Sequence, residues 1–224
     1  MGPPPHRSHG GLRYIPDGQR STARIGVLAS GQGSNLQALI DAIESGQLPR
    51  VEIVLVVSNQ PDVPGLQRAL KHRLPTLYLP WKRREEAEAR LAAILQLFQV
   101  DLIVLAGWMR IFTPEFVTQF SGCMINLHPA LLPDNGTSKT YVTSNGTEIP
   151  AFRGLHVVKQ ALEAGVKVTG STVHYVTPEV DAGPVICREE VAIEEGDTEE
   201  TLHERIKRVE HRLIVETVRG YKLQ

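Results

Sequence analysis

The sequence predicts an α/β protein on a doubly wound, mostly parallel sheet flanked by helices, with a late antiparallel strand pair. Three observations predict it. Short apolar runs recur from Arg24 onward, helix-forming stretches separate them, and after Pro150 two β-rich runs follow each other with only a turn-forming segment between.

The apolar runs are RIGVLAS (24–30), VEIVLVVS (51–58), TLYLP (76–80), DLIVLAG (101–107) and CMINLH (123–128). Most are apolar throughout, the pattern of strands buried on both faces. SNLQALIDAIESG opens with cap-type residues and ends in Gly46, while REEAEARLAAILQLF is helix-forming and amphipathic with its charge at the front. Beyond Pro150 a helix LHVVKQALEAG precedes VTGSTVHYV and VICREEVAI, which the turn-forming TPEVDAGP separates. The closing DTEETLHERIKRVEHRLIVETVRG carries a cap and acids first and bases later, as the helix dipole favours.

Composition narrows the class. The 224 residues carry a formal net charge of −1 with both signs interspersed, which argues against a nucleic-acid footprint or an anionic membrane surface and toward small-molecule partners. Cys123 and Cys187 make neither a disulfide framework nor a ligand cluster, and no run approaches the roughly 20 apolar residues that span a bilayer. A soluble, cytoplasmic protein is expected. Residues 1–23, rich in Pro, Gly, Arg and His, lack a secretory apolar core and the amphipathic pattern of a transit peptide, and read as a flexible tail. Residues 24–220 read as one domain, and 221–224 as a short C-terminal tail.

One polar stretch, DNGTSKTYVTSNGTEIP (134–150), holds two Asn-Gly-Thr triplets. TYVT between the two Asn-Gly pairs reads as a small hairpin projecting into solvent. The triplets are glycosylation acceptors only in a secreted chain.

Four stretches carry candidate chemistry. SGQGSN (30–35) follows the first strand and opens the first helix; Gly31 and Gly33 permit close backbone approach, and the free helix-start amides with the Ser34 hydroxyl suit a phosphate. It is no dinucleotide fingerprint, since Leu36 occupies the third glycine position and Ser58 and Asn59 stand where a ribose-binding acid would follow the second strand. The alternative is a tight strand-to-helix turn with ordinary capping. AGWMRIF (106–112) leaves the fourth strand with an apolar wall of Trp108, Met109, Ile111 and Phe112, either a pocket or core packing under a loop.

MINLHP (124–129) puts an amide and an imidazole two residues apart at a strand end, so Asn126 and His128 share a face. They read either as strand-end structural residues or as a reaction site. Asp181, in the turn VDAGP (180–184), either bonds its own backbone or lies beside His128, where it would raise the imidazolium pKa and orient the ring for acid/base work. His156 and His203 at helix starts and His174 in a strand show no metal-ligand spacing, and no metal is expected.

Taken together, SGQGSNLQAL, VVSNQPDVPGLQRA, LAGWMRIFTPEFV, MINLHPALLP, FRGLHVVKQALEAGVKVTGSTVHYV, VDAGPVI and LHERIKRVEH resemble, in order and over nearly the whole chain from Arg24, the phosphoribosylglycinamide (glycinamide ribonucleotide) formyltransferases. The resemblance implies formyl transfer from 10-formyltetrahydrofolate, as co-substrate and without a metal, to glycinamide ribonucleotide. By position it implies that Asn126, His128 and Asp181 are catalytic. It implies that Gly33, Ser34, Asn35, Pro129, Lys207 and Glu210 bind the ribonucleotide. It also implies that Arg84, Met109, Arg110, Ile111, Phe112 and Asn126 bind the folate. In that family LLP runs almost directly into FRGLH, so 134–150 is an insertion beside the site. A formyltetrahydrofolate hydrolase and an inactive folate- or nucleotide-binding homologue are the alternatives; oligomeric state is not legible.

Overall fold

The computed structural model describes residues 21–134 and 136–221. Its elements, in order, are β1 (Ala23–Leu28), α1 (Ser34–Glu44), β2 (Val51–Ser58), α2 (Pro64–Lys71), β3 (Thr76–Tyr78), α3 (Arg84–Leu97), β4 (Leu102–Leu105), α4 (Pro114–Gln119), β5 (Met124–His128), β6 (Thr140–Val142), β7 (Glu148–Pro150), α5 (Val157–Glu163), β8 (Val168–Tyr175), β9 (Val185–Ala192) and α6 (Glu199–Gly220). Most of the two expected tails lies outside the described residues. Their inner ends are corrected: Ala23 is a buried residue of β1, and the Tyr221 hydroxyl donates to the Asp101 carbonyl at 2.8 Å.

Seven strands form one sheet in the order β3-β2-β1-β4-β5-β8-β9. All neighbours up to β5 are parallel; β8 pairs antiparallel with β5, and β9 antiparallel with β8. Alternation along the strands splits the core in two. Ile25, Val27, Leu102 and Val104 pack with Leu36 and Leu39 of α1 and Ile206 and Leu213 of α6. Leu28, Ile103 and Leu105 face the other way, toward Leu91 and Leu95 of α3 and Phe116 of α4. Burial on both faces explains why these strands read as continuous apolar runs. Among the described residues, no helix is long and apolar enough to cross a membrane.

Local chemistry sets the helix boundaries. The Thr113 hydroxyl accepts from the Phe116 amide at 3.2 Å ahead of Pro114, and Thr198 and Thr201 cap α6 reciprocally before Glu199 and Glu200. The charged front of α3 conceals one buried acid. Glu88 accepts from the Thr113 amide at 2.9 Å and hydroxyl at 2.5 Å, tying α3 to the entry of α4.

The polar stretch does form a hairpin, with Thr140–Val142 paired to Glu148–Pro150 around a turn at Asn145-Gly146. Its turn, Ser144 to Thr147, is exposed as expected, but its stem packs on the body of the protein. Ile149 and Thr143 are buried, the Arg188 guanidinium lies 5.1 Å above the Tyr141 ring, and the Ser144 amide and hydroxyl donate to Glu190 at 2.6 and 2.7 Å. Arg188 also grips the Asp134 carboxylate at 2.7 and 3.1 Å. One edge of the hairpin is thus hydrogen-bonded to β9, a docking that composition alone does not reveal.

The tightest approach in the sheet is at Gly170 of β8, where a Cβ would stand 2.1 Å from the Glu189 carbonyl oxygen and 2.6 Å from a Leu131 methyl. Gly170→Ala therefore forces β9 or the loop after His128 to move. A loss of about 1–3 kcal/mol in the denaturant-unfolding free energy is expected; unchanged stability would contradict the close packing.

Candidate active site

Period-two alternation on β5 turns Asn126 and His128 to one face, and the antiparallel register sets His174 of β8 directly opposite Asn126. The Asn126 amide nitrogen lies 3.2 Å from His174 Nε2, and His174 Nδ1 lies 2.8 Å from the Tyr175 carbonyl oxygen. A carbonyl only accepts, so Nδ1 carries the proton and Nε2 accepts from Asn126. The β8–β9 connection then brings Asp181 back. Its backbone is left-handed, with φ 53°, and its carboxylate lies 3.5 Å from His128 Nδ1 and 3.7 Å from His174 Nε2. The Gly154 amide donates to the same carboxylate at 2.9 Å, and His128 Nε2–H donates to the Phe152 carbonyl at 2.8 Å.

Asp181 acts on His128 in the expected direction, yet the net shift is the opposite. Burial pushes the His128 imidazole below its ordinary pKa, outweighing the Asp181 carboxylate and the Phe152 carbonyl that favour the charged form; His174 and Arg153 add to the depression. The carboxylate opposes the shift without reversing it. For Asp181, burial favours the neutral acid, but the His174 and His128 imidazoles and the Gly154 amide outweigh it, and its pKa lies below the usual carboxylate value. A neutral imidazole beside an ionised carboxylate is the resting state at neutral pH.

At the first turn, Gly33 with φ 69° is the N-cap of α1, and no side chain caps it. Ser34 is thus the first helical residue rather than the cap, and the first-turn amides are open to an anion. A Cβ on Gly33 would stand 2.6 Å from Gly65 Cα, so the turn packs on the start of α2. Asn35 is buried; its amide nitrogen donates to Glu210 at 3.2 Å while its carbonyl oxygen has no partner. Burial raises the Glu210 pKa, against the Asn35 hydrogen bond and the charge of Lys207, which lies one turn earlier and pairs with Glu204.

The third strand end contributes a wall. Met109, Arg110 and Ile111 are exposed, whereas Phe112 is buried, stacked 5.8 Å from Trp108 and edge-on to Trp81 at 5.6 Å. Arg84, exposed at the first residue of α3, lies three residues beyond Trp81, and Pro129 is half-buried immediately after His128. Ser30 ties β1 to this wall, accepting from the Met109 amide at 2.8 Å and donating to Asn59 at 2.6 Å.

The family model for formyl transferase matches residues 23–144 and 146–218. The chain belongs to the formyl transferase family. Relatives within that family agree: the trifunctional purine biosynthetic protein adenosine-3 of Bos taurus is 41% identical over 209 residues, 92% of this chain but 19% of that protein. The phosphoribosylglycinamide formyltransferase of Haemophilus influenzae is 37% identical over 193 residues, covering 85% of this chain and 82% of that one. The crystal structure of glycinamide ribonucleotide transformylase 1 from Symbiobacterium toebii superposes with TM-score 0.79 at 40% identity, over 90% of this chain and 88% of that one. The chain spans between about an eighth and a fifth of the trifunctional relatives' length.

The structure brings Asn126, His128 and Asp181 together, and joins Glu210 through Asn35 to the α1 turn. Sequence reasoning missed His174, the Phe152 carbonyl and the Gly154 amide. For His174 the only available signal was its strand alternation, and the pairing register that puts it opposite Asn126 is not written in VTGSTVHYV.

Acid should weaken this site. The folded-state pKa of His128 lies below the ordinary 6.5, so on acidification the unfolded chain takes up that proton first and stability falls as pH drops below about 6.5. Asp181, depressed below 3.8, contributes stability that is lost only as pH falls through its lower folded value. Asp181→Asn removes the charge opposing the His128 shift, so the imidazole titration followed by NMR should move to still lower pH. An unchanged or raised midpoint would show that the 3.5 Å contact does not couple the two groups.

Proposed function

We propose that this chain transfers the formyl group of 10-formyltetrahydrofolate to the amine of glycinamide ribonucleotide, a step of de novo purine biosynthesis, within one formyltransferase domain spanning 23–221. The observation that carries the reading is that an acid/base set and an uncapped helix start occupy the same sheet edge. Asn126, His128 and Asp181 serve transfer, and the α1 turn at Gly33–Asn35 serves a phosphate. The relatives' names supply the ribonucleotide acceptor, and the sequence resemblance supplies the folate donor. The residues fit it: the orphaned Asn35 oxygen and the α1 amides offer polar contacts for a ribonucleotide, supported by Lys207 and Glu210. The exposed Met109, Arg110 and Ile111 over the Trp81–Trp108–Phe112 cluster, with Arg84 at the rim, offer an apolar wall with cations for a folate.

The chemistry follows from charge. Attack of an amine on a formyl carbon builds negative charge on the formyl oxygen and releases a proton from the nitrogen. Asn126 still has one amide hydrogen beyond that given to His174, and it donates to the oxyanion. The Nε2–H of His128, directed at the Phe152 carbonyl in the structure, exchanges that acceptor for the oxyanion. Its Nδ1 edge faces Asp181, so the amine proton gained there is offset by the carboxylate; the tetrahedral adduct then collapses with cleavage of the bond to the folate nitrogen, which takes that proton as tetrahydrofolate leaves and returns His128 to its neutral form. Pro129 stiffens the chain directly after His128.

The purified chain should release tetrahydrofolate from 10-formyltetrahydrofolate only when glycinamide ribonucleotide is present; release without it would mark a hydrolase. His128→Ala should lower kcat by about 10²–10⁴ and Asn126→Ala by about 10²–10³, each with ribonucleotide binding retained. A variant that loses binding but keeps turnover would reverse these assignments.

A further inference from the structure

The segment Phe152-Arg153-Gly154 touches both members of the His128–Asp181 pair. Phe152 accepts from the imidazole through its carbonyl, and Gly154 donates its amide to the carboxylate. The residue between them reaches in another direction. Arg153 Nε donates to the Asp181 backbone carbonyl at 3.2 Å, while Nη2 donates to the carbonyls of Gly136 and Ser138, both at 2.9 Å. Those two carbonyls belong to the base of the β6–β7 hairpin. Gly136 itself lies against the residue after Asp181, so closely that a Cβ would stand 1.7 Å from the Ala182 carbonyl oxygen.

The far side of the hairpin is held independently, by Arg188 on Asp134 and Tyr141 and by Glu190 on Ser144. A continuous chain of contacts therefore runs from β9 through the hairpin and Arg153 to the Asp181 backbone. That backbone needs support. A left-handed φ costs an aspartate less than most residues, but which way its carboxylate then points is set by the surroundings. A guanidinium suits the task because its planar fork serves three carbonyls at once, which an ammonium on a flexible stem does not reproduce.

We propose that Arg153 is a positioning residue for formyl transfer, and that the 134–150 hairpin is the strut through which it holds the Asp181 backbone so that the carboxylate faces His128 and His174. The kinetic part rests on the formyl-transfer reading above; the structural part does not. On this view the hairpin is no passive excursion, because the base of its stem is built into the support of a reacting group.

The test compares Arg153→Met, Arg153→Lys, Asp181→Asn, the Arg153→Met/Asp181→Asn double variant and a chain lacking Asp134–Pro150. Arg153→Met should lower kcat about tenfold with KM for either substrate moving less than about threefold, and Arg153→Lys should recover part of the loss. In the Asp181→Asn background the same change should cost less than about twofold, since its effect runs through the carboxylate. Equal losses in both backgrounds, or a raised KM at unchanged kcat, would overturn the positioning role. Amide exchange followed by NMR reads the strut without turnover: at Gly154 it should speed up about tenfold in Arg153→Met and in the deletion, while β1 and β4 stay protected. Unchanged Gly154 exchange in both would remove the strut. Should the wild-type chain show no ribonucleotide-dependent release, the formyl-transfer reading fails and Gly154 exchange still decides the strut.

Discussion

A carboxylate that must stay ionised away from water constrains everything around it. Desolvating such a charge costs several kcal/mol unless donors and opposite charges offset it, and three separate stretches of chain meet around Asp181, of which the Gly154 amide is a donor and the two imidazoles supply opposite charge only when protonated. His128 comes from β5, His174 from β8 and the Gly154 amide from the segment before α5. Those stretches meet because β8 runs antiparallel beside β5 and because the β8–β9 connection folds back over the strand end. The parallel half of the sheet supplies the rigid platform; the antiparallel pair supplies the carboxylate.

The same constraint sets the protonation state of the pair. His128 is almost wholly buried, and burial outweighs the attraction of Asp181, leaving a neutral imidazole beside an anion. Charge created in a reaction at this edge then falls on groups already oriented for it, with little reorganisation needed. The first turn of α1 lies across the same edge. The sheet order reverses between β1 and β4, the kind of crevice in which open α/β sheets bind ligands, and Ser30 joins the two strand ends by hydrogen bonds.

Much of this was legible from residue pattern. Asn126 and His128 share a face because strand side chains alternate with period two, whatever the rest of the chain does. Gly31 and Gly33 announce a tight turn ahead of a helix, and the buried runs announce parallel strands. His174 was passed over because its partner lies 48 residues away, and Phe152 and Gly154 because they act through backbone atoms that no side-chain pattern reports. The hairpin was read as solvent-exposed because it is polar, and its turn is; what that reading passed over is that part of its polar surface is bound to Arg188, Glu190 and Arg153.

By itself, then, the sequence determined the order of the seven strands of the main sheet and of four of the six helices among the described residues, the pairing of amide and imidazole on one strand face, and the glycine turn. These follow from periodicities and backbone preferences that act over a few residues. Only the tertiary structure decided which histidine stands opposite Asn126, which way burial moves the His128 pKa, and that the hairpin is docked against β9 and Arg153. Each of those depends on strand register, desolvation or contacts between distant segments, and such quantities exist only once the chain has closed on itself.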